Sequence, residues 1–375
     1  MILLLLLLLF VVSNVVYSVD YSQPTITLQS LRALRNDISY DKISDAYRVY
    51  PTKSIFNEDE IYGDNGQIII PESFIATIPY GRVCSCAGLV IVNDKYVEDF
   101  FWHGVKKGRA RPFVDLLSLP EPKLVEGTVA VLSQFGANCY YHWMLELLPK
   151  LGLLQKSRIE YDYLYVPLEL DYMRQTLILL GVDLLKVIEP CYEYQYIQAD
   201  ELVVPSDTSA CRYSSAFAIH FLRTKFIPLA KEKIDSNNFS KRVFISRNEN
   251  AIRRIKNEEE VFKLFEPYGF VKYELENLSI LEQVALFNNA EIIVGEHGAG
   301  LTNIVFCEPG SQVVEIFQAL QRLTYWHLSQ ELQLQHICVK TIEFFTKNIY
   351  KSCPQIHLEP IKNIINQLFL SSLNT

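Results

Sequence analysis

The sequence predicts an α/β protein built in two halves. The main observation lies after residue 242, where short apolar runs alternate with stretches of helical period. Strands are predicted at 242–246, 270–274, 291–294, 312–316 and 335–339, with helices at 257–265, 279–289 and 320–332 between them. Joining parallel strands takes a crossover of about a dozen residues, so repeated units of this length imply a parallel sheet wound in Rossmann style. The second observation is the first half, which opens on β-type runs at 68–70, 74–78 and 88–92. It then takes up the same alternation, with strands at 129–132, 163–166, 186–189 and 201–204. The third is size and composition. A chain of 375 residues with 49% hydrophobic and 21% charged residues has enough apolar mass for two folded domains.

Taken in order, residues 2–12 are unbroken apolar sequence, Ser13 and Asn14 interrupt it, and 15–19 resume it. Residues 1–19 read as a cleaved signal peptide or as a membrane anchor; both send the rest of the chain to the lumen of the secretory pathway. The sequons at Asn238 and Asn277 fit that address. So does an even set of eight cysteines, some of which an oxidising lumen could bridge. For Cys139 and Cys307, set in apolar elements, the expectation is buried free thiols. Residues 20–65 are polar and turn-rich, and read as a stem. In the first domain, 66–235, a helix is expected over 138–148, with Asn138 as cap and Pro149 ending or kinking it. Another follows at 172–180. A long helix at 214–233, with Pro228 inside, connects to the second domain, 236–345. The helix at 279–289 has a well-marked start, because Ser279-Ile280-Leu281-Glu282 is a capping box. In the tail, 346–375, an amphipathic helix at 360–370 is expected to pack back on the first domain.

Three constellations carry chemistry. Strand 291–294 runs into Gly295-Glu296-His297-Gly298-Ala299-Gly300-Leu301-Thr302-Asn303. Open amides at such a turn and the following helix N-terminus suit a phosphate or pyrophosphate. The dinucleotide fingerprint requires a third glycine where Asn303 stands, which disfavours an NAD site. A tight turn that needs small residues explains the glycines but not His297. The second constellation, Arg247 through Arg253-Arg254 to Lys256, follows a strand of the same sheet, where arginines can pair with a diphosphate. The third places His142 and Glu146 four residues apart on one helix face, beside Trp143 as a candidate aromatic platform. A carboxylate next to imidazole fixes its tautomer and raises its basicity, so the pair is a candidate general base.

Absences narrow the field. There is no Asp-x-Asp, C-x-x-C or H-E-x-x-H, so no metal site is expected, and arginines and turn amides must balance any leaving diphosphate. G-x-S-x-G and the P-loop lysine motif are also missing, against hydrolase and kinase chemistry. A net charge of −8 without a basic run argues against nucleic acid as a partner.

Together these segments resemble glycosyltransferase family 61. The resemblance runs over residues 129–317. Its segments are Asn138-Cys-Tyr-Tyr-His-Trp to Pro149, Arg247 with Arg253-Arg254, Ser279 with Glu282-Gln283, the glycine turn, and Pro309-Gly310 with Val314-Glu315. It implies a GT-B-like architecture, two Rossmann-type domains facing across a cleft. It also implies an inverting transferase that moves a sugar such as GlcNAc or xylose from a UDP-sugar to a hydroxyl of a glycan or glycoprotein. By position, Arg247, Arg254, His297, Gly298, Ala299, Gly300, Asn303 and Glu315 fall on the donor side, and His142 and Glu146 on the acceptor side. The UDP-sugar enters as substrate and no other cofactor is implied. Glu296 departs from the family pattern, in which the position before the histidine is more often Pro or small; a carboxylate there repels a diphosphate unless it is directed at an arginine or a ribose hydroxyl. The alternative is a lumenal glycan-binding protein that keeps the fold without turnover.

Overall fold

The computed structural model describes residues 24–49, 68–101, 116–190, 195–210, 212–247, 254–317, 323–340 and 355–369. Twelve strands precede the second half: β1 (Thr25–Ile26), β2 (Ser39–Ser44), β3 (Tyr47–Val49), β4 (Ile68–Ile70), β5 (Ser73–Pro79), β6 (Arg82–Cys84), β7 (Leu89–Val92), β8 (Lys95–Val97), β9 (Lys123–Val131), β10 (Tyr163–Tyr165), β11 (Val187–Ile188) and β12 (Tyr196–Pro205). Ten of these form one mixed sheet, and β3 and β4 pair separately. Strand β12 is its centre. One edge of β12 pairs with β9 in parallel, and the other edge takes β6 and then β5, both antiparallel. The parallel part, β12-β9-β10-β11, is the Rossmann-like portion, and the antiparallel strands extend it. Alternation along β9 feeds two layers: Val129 and Val131 enter one core, Ala130 the other.

Much of the described portion of the expected stem belongs to this sheet, through β1 and β2, while β3 pairs with β4. Thr27 caps helix α1 (Leu28–Leu34). Leu28, Leu31 and Ile38 then pack into the core, while β1 pairs with β8 and β2 with β5. A few well-spaced apolar residues do this in a segment that is otherwise polar. Residues 1–19 lie outside the described residues, among which no helix is long and apolar enough to cross a membrane.

The helix expected at 138–148 is also different. Helix α2 (Tyr140–His142) starts one residue later than a cap at Asn138 requires, with Cys139 as N-cap and no side-chain capping bond. Trp143–Leu147 then winds as a π-helix, closed by Leu148 N–H donating to Trp143 C=O at 2.9 Å. Pro149 does not stop the chain. It is the first residue of α3 (Pro149–Ser157), where a missing N–H costs nothing. Helices α4 (Asp171–Leu179) and α5 (Ala216–Lys233) follow, the latter with Pro228 inside.

The second sheet consists of β13 (Arg242–Ser246), β14 (Val271–Glu274), β15 (Ile292–Glu296), β16 (Gln312–Phe317) and β17 (Gln335–Lys340). It is wholly parallel, in the order β14-β13-β15-β16-β17. The chain reverses its direction of winding after β14, so the crevice between the ends of β13 and β15 is the topological switch point. Phe244, Val294, Val314 and Ile316 face a layer made by α6 (Glu258–Phe265) and, later in the chain, by residues 358–369. Val243, Ile293 and Val313 face the other layer. This layer holds α7 (Ile280–Asn289), whose capping box is present as expected, the 3₁₀ segment Ala299–Phe306 and α8 (Thr324–Glu331).

That second layer shares one core with the first half. Trp143, Leu147 and Phe226 pack in the same cluster as Leu286, Phe287 and Phe306. Arg223 of α5 donates to the carbonyls of Val305 and Cys307 at 2.8 and 2.7 Å. The last helix, α9 (Leu358–Phe369), corrects another expectation, because it packs on α6 and β17 of the second half rather than on the first. Its stripe Ile361–Ile365 closes the open face of the parallel sheet, Phe369 stacks on Tyr268 at 4.5 Å, and the Arg242 guanidinium lies over Phe369. Cys84, Cys86, Cys139 and Cys307 are free thiols; Cys191, Cys211 and Cys353 lie outside the described residues.

Candidate active site at the strand ends

Strand alternation sorts the residues of the glycine turn. Glu296 ends β15 on the α6 side of the sheet, whereas Gly295 lies over Ile245 on the opposite side. A Cβ on Gly295 would meet Ile245 Cδ1 at 3.0 Å, and one on Gly300 would meet Leu275 Cδ1 at 3.2 Å. These two glycines therefore serve close packing of turn against strand. Gly298 has a different reason: a Cβ there would lie 2.0 Å from Arg247 Nη2. The absent side chain is the space the guanidinium occupies.

Arg247 leaves the end of β13, donates from Nη2 to the His297 carbonyl at 3.3 Å and pairs through Nε with Glu296 at 3.2 Å. The other oxygen of Glu296 accepts the N–H of Ile255 at 2.9 Å. Glu296 is thus directed at an arginine, and it also pins the far end of the basic loop. Arg254 stands next to that anchor, its Nε buried with no partner among the described residues. Arg253 and residues 248–252 lie outside the described residues.

His297 turns back over the sheet. Its Nδ1 is 2.5 Å from Glu315 Oε1, and its ring stacks on Phe317 with centroids 5.2 Å apart. Glu315 is fully buried in β16 and holds a second imidazole, His336 Nε2, at 2.9 Å. Burial would raise this carboxyl, but the charges and hydrogen bonds of His297 and His336 outweigh it and hold the group below its ordinary range. Glu315 is therefore placed to orient His297 rather than to touch a ligand. His336 in turn meets Ser329 Oγ through Nδ1 at 2.7 Å. No motif marked His336 or Ser329. The available signal is register: His336 pairs with Val313 and Cys338 with Glu315, so His336 and Glu315 share a face.

On the other half, His142 Nδ1 meets Glu146 Oε2 at 2.9 Å, as the spacing predicts. Glu146 sits on the π-turn, buried, and also accepts from Gln134 Nε2 and from the N–H of Arg212. Three donors hold it as a carboxylate in position. A π-turn at such a place is a known companion of functional sites. Trp143 is not a platform: it is fully buried, with Nε1 donating to Thr176 Oγ1 at 2.9 Å.

The two halves meet here. Tyr140 donates to Asn303 Oδ1 at 2.8 Å, and Asn303 Nδ2 donates to Gln283 at 2.9 Å. Asn303, 1% exposed, ties the halves together and leaves little surface for a ligand. One residue further, Tyr141 meets the edge of Tyr325, and Tyr325 meets His297 at 5.4 Å between centroids. Tyr325 thus touches His297 of the turn and Tyr141, the residue before His142. Ala299, Gly298 and Gly300 line the start of the 3₁₀ segment, and Arg254 stands behind Glu296. A cavity of about 580 Å³ lies elsewhere, against the first sheet, lined by Arg82, Asp94, Leu117 and Tyr196. It contains none of the candidate site residues.

Residues 140–314 match the family model for Glycosyltransferase 61. The chain is also similar to EGF domain-specific O-linked N-acetylglucosamine transferases. With that of Xenopus laevis it is 28% identical over 131 residues, 34% of this chain and 24% of that protein. With that of Drosophila melanogaster it is 28% identical over 115 residues, 30% and 21% respectively. The Mus musculus protein is 27% identical over 101 residues, 26% and 19%. The chain thus spans about a quarter or less of each of these relatives. The stretch that holds His142, Glu146, Arg247, Arg254 and the His297 turn is thus similar to glycosyltransferase family 61.

Proposed function

We propose that the protein is an inverting glycosyltransferase of GT-B type, dividing near residue 236, that moves a sugar such as GlcNAc or xylose from a UDP-sugar to a hydroxyl of a glycan or glycoprotein in the secretory pathway. The observation that supports this reading is the meeting of the two halves at Tyr325, which touches Tyr141, the neighbour of His142 in sequence, and His297 of the glycine turn. The acceptor hydroxyl attacks C1 of the sugar as the C1–O bond to UDP breaks. Nδ1–H of His142 is committed to Glu146, so Nε2 is the lone-pair nitrogen that takes the hydroxyl proton. Arg247, Arg254 and the amides of Gly298, Ala299 and Gly300 face the leaving diphosphate, since a helix start leaves its first N–H groups without intrahelical acceptors.

Free UDP released from a panel of UDP-sugars, with and without acceptor, tests the activity. His142→Ala is expected to lower turnover by about 10²-fold or more, the usual worth of a general base. Near-normal turnover would remove His142 from that role. Arg254→Ala is expected to weaken UDP binding by calorimetry, and an unchanged affinity would refute its donor assignment. One observation favours the non-catalytic alternative: Glu296 already neutralises Arg247, leaving less positive charge for a diphosphate. UDP binding without release from any donor would support that reading.

A further inference from the structure

We infer that Ser329, His336 and Glu315 form a positioning chain that fixes His297 with its proton on Nδ1, so that Nε2 is presented as an acceptor to a substrate hydroxyl rather than as a donor to phosphate. The inference rests on the glycosyltransferase reading for its substrate, but not for its geometry. Three hydrogen bonds in series link four side chains: 2.7 Å from Ser329 to His336, 2.9 Å from His336 to Glu315 and 2.5 Å from Glu315 to His297. Ser329 and Glu315 are fully buried, so no water competes for these bonds.

The donor and acceptor inventory gives the chain its direction. A carboxylate only accepts, so both imidazoles must turn an N–H towards Glu315. His336 therefore carries hydrogen on Nε2, and its Nδ1 accepts the Ser329 hydroxyl proton. His297 carries hydrogen on Nδ1, and in the neutral ring Nε2 holds the lone pair. Phe317 and Tyr325 hold the ring in plane, by a stack at 21° and an edge contact at 60°. Such a nitrogen can accept from a sugar or acceptor hydroxyl and cannot donate to a phosphate oxygen. The diphosphate is left to the arginines and the turn amides, and His297 reads a hydroxyl. Ser329, His336 and Glu315 touch no substrate and act through His297.

Nitrogen-15 NMR of the histidine rings of the full chain reads this directly, with or without turnover. The expected result is Nδ1–H and an unprotonated Nε2 for His297, assigned by its loss in His297→Gln. In His336→Leu the His297 ring is expected to lose its single tautomer. Donor turnover should then fall by ten- to a hundredfold, about the worth of one hydrogen bond to a charged group. His336→Gln, which keeps an N–H for Glu315 and an oxygen for Ser329, is expected to restore most of both. A doubly protonated or Nε2–H His297 in the wild type overturns the proposal, as does a His336→Leu protein with the tautomer intact. Glu315, His336 and Cys338 also place ligand atoms within 4.8 Å of one another. A stoichiometric divalent cation in the purified protein, lost in Cys338→Ser, would occupy the same carboxylate and imidazole and overturn it too. If the tautomer holds but no donor is turned over, the positioning chain stands and the enzymatic reading fails.

Discussion

Glu296 sits one residue before the turn histidine, on a strand whose C-terminal end faces the proposed diphosphate site, and a lone carboxylate there would oppose an anionic ligand. Its surroundings resolve the conflict, because one oxygen meets Arg247 and the other the Ile255 amide. The pair holds Arg247 over Gly298 and closes the basic loop. Glu296→Ala leaves a buried N–H and a guanidinium without their acceptor, and is expected to cost about 1–3 kcal/mol of stability in urea unfolding. Glu296→Gln keeps an acceptor for Ile255 and should cost less; equal losses would show that the amide bond does not matter. Glu315 gives a pH signature. Its carboxyl is held below the ordinary value of 4.5, so its stabilisation is fully present above about pH 4.5 and is lost as pH falls through the lower folded value. The stability gap between wild type and Glu315→Leu is therefore expected to shrink in acid below pH 4.5. A gap that stays constant with pH would mean the carboxylate charge contributes nothing.

At the level of elements, legibility follows periodicity. The five strands of the second sheet and helix α7 were readable because short β-type runs alternate there with helical stretches, and α7 carries its own cap. The π-turn was not, since a helical period of 3.6 carries no mark where one extra residue is inserted. Pro149 reads as an end and is in fact a new N1 position, where its lack of a backbone N–H costs nothing. Residues 24–49 join the first sheet through Leu28, Leu31 and Ile38, too few for a pattern. Helix α9 was readable as amphipathic, but its partner was not, because one apolar stripe fits either half. Within the site, His142–Glu146 was legible as an i,i+4 spacing. His297–Glu315–His336 was not, as it depends on the alignment of three strands.

Across the whole molecule, the two sheets are joined by one apolar core rather than by a linker. Helix α5 runs from the first sheet to pack on α7 and on the 3₁₀ segment after the glycine turn. Trp143 and Leu147 of the first half share their cluster with Leu286, Phe287 and Phe306 of the second. Arg223 adds two hydrogen bonds across this seam, and Tyr140–Asn303 a third. Interfaces between independent domains are more polar than this and permit relative motion. The two halves are thus expected to unfold together, so that fluorescence of the buried Trp143 and far-UV circular dichroism trace one urea transition. Phe306→Ala, a residue of the second half, should shift both probes equally, by about 3–5 kcal/mol. Two separated transitions, or a Trp143 signal that ignores Phe306→Ala, would show that the halves are energetically independent. The same coupling has a consequence for the site: any change that loosens the seam also moves His142 relative to His297, since Tyr141 and Tyr325 pack across it.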